Sequence, residues 1–549
     1  MWVEYSYHEN FRHAKRVRGP FALENTDYTA KIDLSDLKGD RDVFVKVTFE
    51  DLNNESAVSE PVFGQFITAP DKKSRDLHFL WSGDTAGQGW GINPDFGGMR
   101  IYDAMRRENP DFFIHSGDTI YADGPIAEYQ NAENGMVWRN LVTEEVAKVA
   151  ETLNEFRGRY KYNMLDENVR AFNAQVPQIW QWDDHEVVNN WSGAKDLSDD
   201  DRYTEKNVPL LIARGAKAFL EYAPMRPFDA REQERVYRRI PYGPMLDLMV
   251  LDMRSYRGPN STNDQTESGP ETRFLGREQL DWLKHQLLHS RATWKVIASD
   301  MPIGLIVRDG PEKFENMANG DGAPAGRELE MAELLRFIKH HDIDNIVWLT
   351  ADVHYCAVHH YHPERAAFKH FKPFWEFVAG PLNAGSFGPG ELDNTFGPEV
   401  VFQKAPPTQN LSPFGGFQFY GDVHIDHRSA HMTVKLKDID GKTVFSKTLQ
   451  PLEPIKQKVN VIDGLFNSGR VASGAIHDDF GRTMAIRQRE HVPDAGWVAH
   501  ASADPDGAEQ TIWAVRTSGG AAWKLAEGTD PALSPDGRAV HRSAPATSL

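Results

Sequence analysis

The rhythm of apolar and polar positions changes twice along the chain. From Trp2 to about Ala69, short alternating runs such as YTAKIDL and DVFVKVTF are separated by the turn-rich pieces LSDLKGDRD and EDLNNES. A period of two fits strands with one buried face, so residues 1–70 read as a β-sandwich. Three or four strands fit there, whereas such sandwiches ordinarily use about seven. The domain therefore reads as incomplete, and TAPDKKSRD reads as the linker that follows it.

From Leu77 to Leu449 the apolar runs become continuous and each ends in an acidic loop: LHFLWSGD, DFFIHSGD, PQIWQWDD, LDLMVLDM, WKVIASD and NIVWLTAD. Between them, GREQLDWLKHQLLHS and RELEMAELLRFIKHH place apolar residues three and four apart, the spacing of amphipathic helices. Strands alternating with helices predict an α/β domain over residues 71–453. Residues 454–549 are richer in Gly, Ala, Ser and Asp. One stretch there, TIWAVRTSGGAAWKLAEGTDPALSPDGRAV, resembles a single propeller-like repeat. A lone repeat has no neighbour to stack on, so the tail reads as an appendage.

Composition narrows the picture. A chain of 549 residues exceeds what one hydrophobic core ordinarily supports, roughly 250–300 residues. With 40% apolar residues and 14 Trp, 30 Phe and 16 Tyr, it has ample material for packed interiors. The formal charge of −19, from 61 Lys+Arg against 80 Asp+Glu, argues against a stable nucleic-acid complex, which needs clustered cations. Any anionic substrate must be attracted locally, and bound metal ions supply such attraction. The one cysteine, Cys356, excludes an intrachain disulfide. No apolar run is long enough to span a membrane, and the opening MWVEYSYHENFRHAKRVRGP lacks the apolar core of a secretory signal.

The chemistry concentrates at the strand ends, where open α/β sheets place their functional crevice. Asp84, Asp118, Asp183 with Asp184, Asp252, Asp300 and Asp352 all occupy such ends. Any one of them reads equally as a loop or capping aspartate. Together they would repel one another unless they took up protons or cations. In SGDTIYAD, Asp118 and Tyr121 share one loop; in QWDDHEVVNNW, His185 adjoins Asp184; in LTADVHY, Asp352 and His354 are two residues apart. Oxygen-rich sites with few histidines and no paired cysteines suit hard or borderline ions.

These blocks, GDTIYAD, WDDHEVVNNW and ADVHY, resemble the signature of the alkaline phosphatase D (PhoD) family within the calcineurin-like metallophosphatase superfamily. Further matching stretches are FRGRYKYN, LDMRSYRGP and FLGREQLDWLKHQL, and the opening segment is similar to the family's fibronectin-like domain. The resemblance implies a four-layer αββα sandwich preceded by a short, truncated fibronectin-like β-sandwich. It implies that Asp118 bridges two metals, that Asp84, Tyr121 and His354 complete one site, and that Asp184, Asp300 and Asp352 complete the other. It further implies Fe3+ and Ca2+ as the ions, with Mn2+, Mg2+ and Zn2+ as alternatives. Family members typically carry a cysteine after the first strand; this chain has Ser82–Asp84 there and no thiol.

The implied activity is hydrolysis of small phosphate esters by a metal-activated hydroxide attacking phosphorus in line. His185 is the expected proton donor to the leaving group, and Asn189, Asn190, Arg157 and Arg254 are the expected phosphate-holding residues. Two other readings stand beside it: a phosphodiesterase with little monoesterase activity, and a non-catalytic binding protein on the same scaffold. The resemblance implies export to the periplasm or beyond. The signal-free start makes the cytoplasm the alternative expectation, and oligomeric state is not legible.

Overall fold

All six acid-terminated runs form strands, and they do so because most residues in them are apolar and most are buried, on both faces. Leu77–Ser82, Phe112–Ser116 and Gln178–Gln181 lie parallel in one sheet; Leu246–Val250, Trp294–Ala298 and Ile346–Thr350 lie parallel in a second. The computed structural model describes residues 1–452 apart from 55, 73–74 and 229–231, and beyond 452 only the backbone of short strands between 475 and 541.

The first sheet has six strands in the order Thr443–Leu449, Met432–Asp438, Phe419–Ile425, Leu77–Ser82, Phe112–Ser116, Gln178–Gln181, its first three joined antiparallel. The second has seven, with Phe374–Val378, Cys356–Tyr361 and Pro398–Lys404 continuing one side and Arg238–Pro241 closing the other. One core joins the two sheets: Phe79, Trp81 and Val423 from the first pack with Leu248, Val296, Leu349 and Phe377 from the second. The opposite faces carry helices. Leu80 and Phe113 pack with Ile101 and Met105 of Arg100–Arg107 and with Phe172 of Glu167–Gln175. Ile297 and Trp348 pack with Leu283 of Arg277–His289 and Leu335 of Glu328–His340. Both predicted helices thus form within a residue or two of the expected positions, and the α/β class holds.

The first seventy residues contribute one four-stranded antiparallel sheet, in the order Lys15–Arg18, Trp2–Ser6, Asp42–Thr48, Val62–Ile67. DVFVKVTF is a strand as expected, but YTAKIDL is not. Its backbone turns at Asp27 and Tyr28, both with positive φ. The segment instead lies against the helix Val208–Tyr222: Tyr222 donates to Asp27 Oδ2 at 2.6 Å, and Lys31 Nζ donates to the Met225 carbonyl at 3.2 Å. The alternation here does not make a strand, and none of residues 28–34 is fully buried.

The chain separates into two compact units, Met1–Leu452 and Glu453–Leu549. In the second, Trp497–Ala503, Gln510–Arg516 and Trp523–Glu527 form an antiparallel sheet, and Ala532–Leu533 pairs with Val540–His541. The SPDG turn of the expected propeller-like repeat lies outside the described residues. Among the described residues no helix is long and apolar enough to cross a membrane.

Candidate metal centre

The loops that leave the parallel strands bend sharply, and the bend is what turns their acids inward. Asp84, Asp118, Asp352 and His354 have φ of 64°, 53°, 65° and 60°. That left-handed region is uncommon for residues with a Cβ, and such strain concentrates at functional sites. Gly117, at φ 88°, precedes Asp118; a Cβ there would sit 2.4 Å from Asp183 Cβ. Glu186 ties two loops together, accepting from the backbone N–H of Thr119 at 2.6 Å and of Asp183 at 2.7 Å.

Two groups of ligand-type atoms converge, each within 4.8 Å: Asp84, Asp118 and His354 in one, and Asp118, Asp184 and His185 in the other. Asp118 belongs to both. Tyr121 joins the first, its hydroxyl 2.9 Å from His354 Nε2. The tautomer of His354 follows from its other nitrogen, which faces the Gly385 carbonyl. A carbonyl only accepts, so Nδ1 carries the proton and Nε2 offers a lone pair toward Tyr121 and Asp84. Burial lowers the His354 imidazole to about 4, which keeps that lone pair free.

Four of the carboxylates are in an environment they cannot tolerate alone, whereas Asp184, although burial opposes its charge, is held below the ordinary range by His185 and Arg254. Burial, then the charges of Asp184 and Asp183, pushes Asp118 well above the ordinary range. Burial does the same to Asp84, with Asp184 and Glu186 adding to it and His185 opposing it. Asp352 is likewise raised well above its usual value by burial and by Asp183, while Asp300 rises to about 6, chiefly through burial. Both oxygens of Asp84, both of Asp300, and Asp184 Oδ1 are buried without a hydrogen-bond donor. Such groups are costly unless a proton or a cation meets them. Orphaned oxygens, a phenol and an imidazole lone pair fit hard or borderline metal ions.

His185 sits at the edge of this cluster. Its Nδ1 lies 2.6 Å from Asp123 Oδ1, its Nε2 lies 3.8 Å from Asp184 Oδ1, and its ring stacks on Tyr121 at 4.2 Å. Burial opposes charge on the ring, but Asp123 and Asp184 outweigh it and raise the imidazolium to about 10. Asp123 Oδ2 is taken by the Asn189 backbone N–H at 2.8 Å, so the carboxylate is fixed at both ends.

The remaining expected site residues fall as follows. Asp300 and Asp352 belong to neither three-residue group; Asp300 Oδ2 lies 3.8 Å from Arg254 Nε. Asn190 sits under the rim: its backbone N–H donates to Asp184 Oδ2 at 2.6 Å and its amide to Asp309 Oδ1 at 3.2 Å. Asn189 is exposed.

The two arginines expected to hold phosphate both have carboxylate partners. Arg157 is held bidentate by Glu221 at 2.7 and 2.8 Å and donates to the Asn25 carbonyl. Arg254 has a fully buried side chain, committed to Asp183 and Glu315. Each guanidinium already has its carboxylate, so neither is open to a substrate. Asp252 turns out to be a loop cap, accepting from the backbone of Arg254 and Ser255 and from Trp182 Nε1.

Asp123, Glu186 and Glu315 were not singled out in the sequence, where Asp183 was named only as a strand-end acid. The first two stand inside the quoted blocks GDTIYAD and WDDHE, so the signal was present in the motif. Glu315 lies in a loop with no marker.

A sequence model described as PhoD-like phosphatase matches residues 79–436. The chain is 29% identical over 334 residues to Alkaline phosphatase D of Bacillus subtilis (strain 168), covering 59% of this chain and 54% of that protein. It therefore spans about half the length of that curated relative. A solved structure described as that of PhoD superposes with a TM-score of 0.60 at 20% identity, covering 82% of this chain and 83% of the other.

Proposed function

The chain belongs to the PhoD-like phosphatase family, and from that premise we propose that it hydrolyses small phosphate esters with bound metal ions. The observation that carries the reading is the set of orphaned buried carboxylates sharing Asp118. Asp84, Asp118, Tyr121 and His354 are assigned to one ion, and Asp118, Asp184, Asp300 and Asp352 to the other. Fe3+ suits the first, with its phenol and imidazole, and Ca2+ the second, which is oxygen-only. When bound, such ions supply Lewis-acid polarisation of the phosphoryl group and acidify water.

The chain's own residues supply the rest. His185 holds a proton on Nε2, the atom facing Asp184, while Asp123 anchors Nδ1; it is assigned to protonate the departing alkoxide. Trp182, Val187 and Val188, its neighbours along the chain, are buried in one apolar cluster. Asn190, anchored to Asp184 and Asp309, sets the position of the rim.

The finer architecture belongs to the same proposal. The shared core between two mixed sheets, with helices on their opposite faces, supports a four-layer αββα sandwich over residues 71–453. The single N-terminal sheet supports an incomplete fibronectin-like domain over 1–70, and 454–549 is read as an appendage. Export to the periplasm or beyond is the location that accords with the resemblance.

The test is metal removal. Chelation is expected to abolish hydrolysis of p-nitrophenyl phosphate, and calcium with iron to restore it. Asp118→Asn is expected to remain folded by circular dichroism yet inactive under the same reconstitution. Full turnover by metal-free protein would overturn the proposal.

A further inference from the structure

A second convergence of imidazole and carboxylate lies on the six-stranded sheet, at the end of Leu77–Ser82 opposite to Asp84. His78 and His424 face each other directly across the antiparallel pair. Asp422, two residues before His424, shares their face because side chains alternate along a strand. The two rings stack at 3.8 Å with 16° between their planes. Both Nε2 atoms point at the same carboxylate oxygen, Asp422 Oδ1, from 3.3 Å for His78 and 2.9 Å for His424.

Three features set this cluster apart from an ordinary surface ion pair. The Asp422 side chain is 0% exposed, whereas that of His424 is 40% exposed, so the carboxylate is buried beneath an open imidazole. Asp422 Oδ1 and His78 Nε2 are buried and make no well-directed hydrogen bond, despite their proximity. The other oxygen, Oδ2, likewise makes no well-directed hydrogen bond but forms an ion pair with Lys437 Nζ at 2.6 Å, and Lys437 is held in turn by Glu108 at 2.8 Å. Lys437 therefore fixes the carboxyl group with Oδ1 toward the imidazoles. The neighbouring cluster of Asp76, Asp426 and His427 lacks this character. Asp426 Oδ1 accepts from the Ser429 backbone at 2.6 Å, and Asp76 Oδ1 from that of His427 at 2.8 Å. Those carboxylates are already capped.

We propose that His78, His424 and Asp422 bind a borderline divalent cation of the zinc class, at a site separate from the metal centre. Two imidazoles and a carboxylate, with water in the fourth position, form an accepted zinc donor set. Bonds of about 2.0–2.1 Å arranged tetrahedrally place ligand atoms about 3.3 Å apart, close to the spacings found here. A small opening of the stacked rings directs both lone pairs onto one ion, and the exposed side of His424 leaves room for water. The ion clips Leu77–Ser82 to Phe419–Ile425. Asp84 lies six residues along from His78, roughly 15–20 Å at strand rise, so the expected effect falls on stability and not on turnover.

The experiment adds zinc chloride to purified protein that retains its own metals, removes free zinc by gel filtration, and measures zinc per chain together with the melting temperature. Wild type is expected to carry an additional zinc equivalent over both His424→Gln and His78→Gln. Its melting temperature is expected to rise with zinc while those of the variants do not, and phosphatase turnover without added zinc is expected to match in all three. Equal zinc content in wild type and both variants would overturn the proposal and leave a hydrogen-bonded imidazole–carboxylate pair only. A zinc-induced rise in melting temperature of the same size in all three would overturn it equally.

Discussion

Two contacts hold the His185 ring in the place proposed for the proton donor: the 2.6 Å approach of Nδ1 to Asp123 and the stack on Tyr121. Neither contact uses Nε2, which remains directed at Asp184. His185→Ala is therefore expected to lower turnover by about 10²–10⁴-fold, the usual weight of a positioned general acid. The loss should be smaller for p-nitrophenyl phosphate than for an alkyl phosphate, because a good leaving group needs less protonation. Asp123→Asn keeps the ring but withdraws the charge that supports the imidazolium, so a milder loss with the same leaving-group dependence is expected. Steady-state kinetics on the two esters, with metal content measured alongside, checks both; an equal loss on both esters would contradict the assignment. His185 was legible from its place beside Asp184. Asp123 stood in the same motif as Tyr121, but nothing in the sequence says that an aspartate sixty-two positions earlier meets this ring.

At the scale of elements, what was legible is what repeats. Continuous apolar runs became the parallel strands, and three–four spacing became the helices Arg277–His289 and Glu328–His340. YTAKIDL failed because a period of two suggests one buried face without saying what would bury it. The partners of the arginines were not legible for a related reason: only the fold reveals Glu221 beside Arg157, and Asp183 and Glu315 beside Arg254. The start of the helix Glu328–His340 carries another such partnership. Glu328 is buried beside Asp393, and burial followed by that neighbouring charge raises its carboxyl to about 10. Asp393 is also raised, chiefly by burial, although it accepts the Asn319 and Thr395 backbone N–H groups, which favour its charged form. A carboxyl whose native value exceeds its unfolded one binds more protons when folded, so stability falls as pH climbs from the ordinary carboxyl range toward about 10. Glu328→Gln removes that proton linkage while keeping the volume. The variant is expected to melt higher than wild type at pH 8, with the difference shrinking toward pH 5, as thermal denaturation across that range would read out. A gap that widened toward pH 5 would reverse the assignment.

At the scale of the whole molecule, the proposed metal centre draws on both mixed sheets at once. Asp84, Asp118 and Asp184 follow strands of the first, and Asp300 and Asp352 follow strands of the second, so the site exists only when the shared core between them has formed. All of those strands lie within Met1–Leu452. The last strand of the first sheet ends at Leu449, and the end of this unit is secured by Asn345, whose side chain accepts from the Leu452 backbone N–H at 2.7 Å and donates to its carbonyl at 3.0 Å. The family match also ends before this point, at residue 436. A chain terminated just after Leu452 therefore keeps every strand of both sheets, every assigned metal ligand and the clip that seals the final edge. It is expected to fold with the same metal content and the same kcat/KM as the full chain, with elemental analysis and ester hydrolysis as the measurements. If the shortened chain folded and kept its metals but lost turnover, residues beyond 452 would have to act on the chemistry, and the reading of the tail as an appendage would fall.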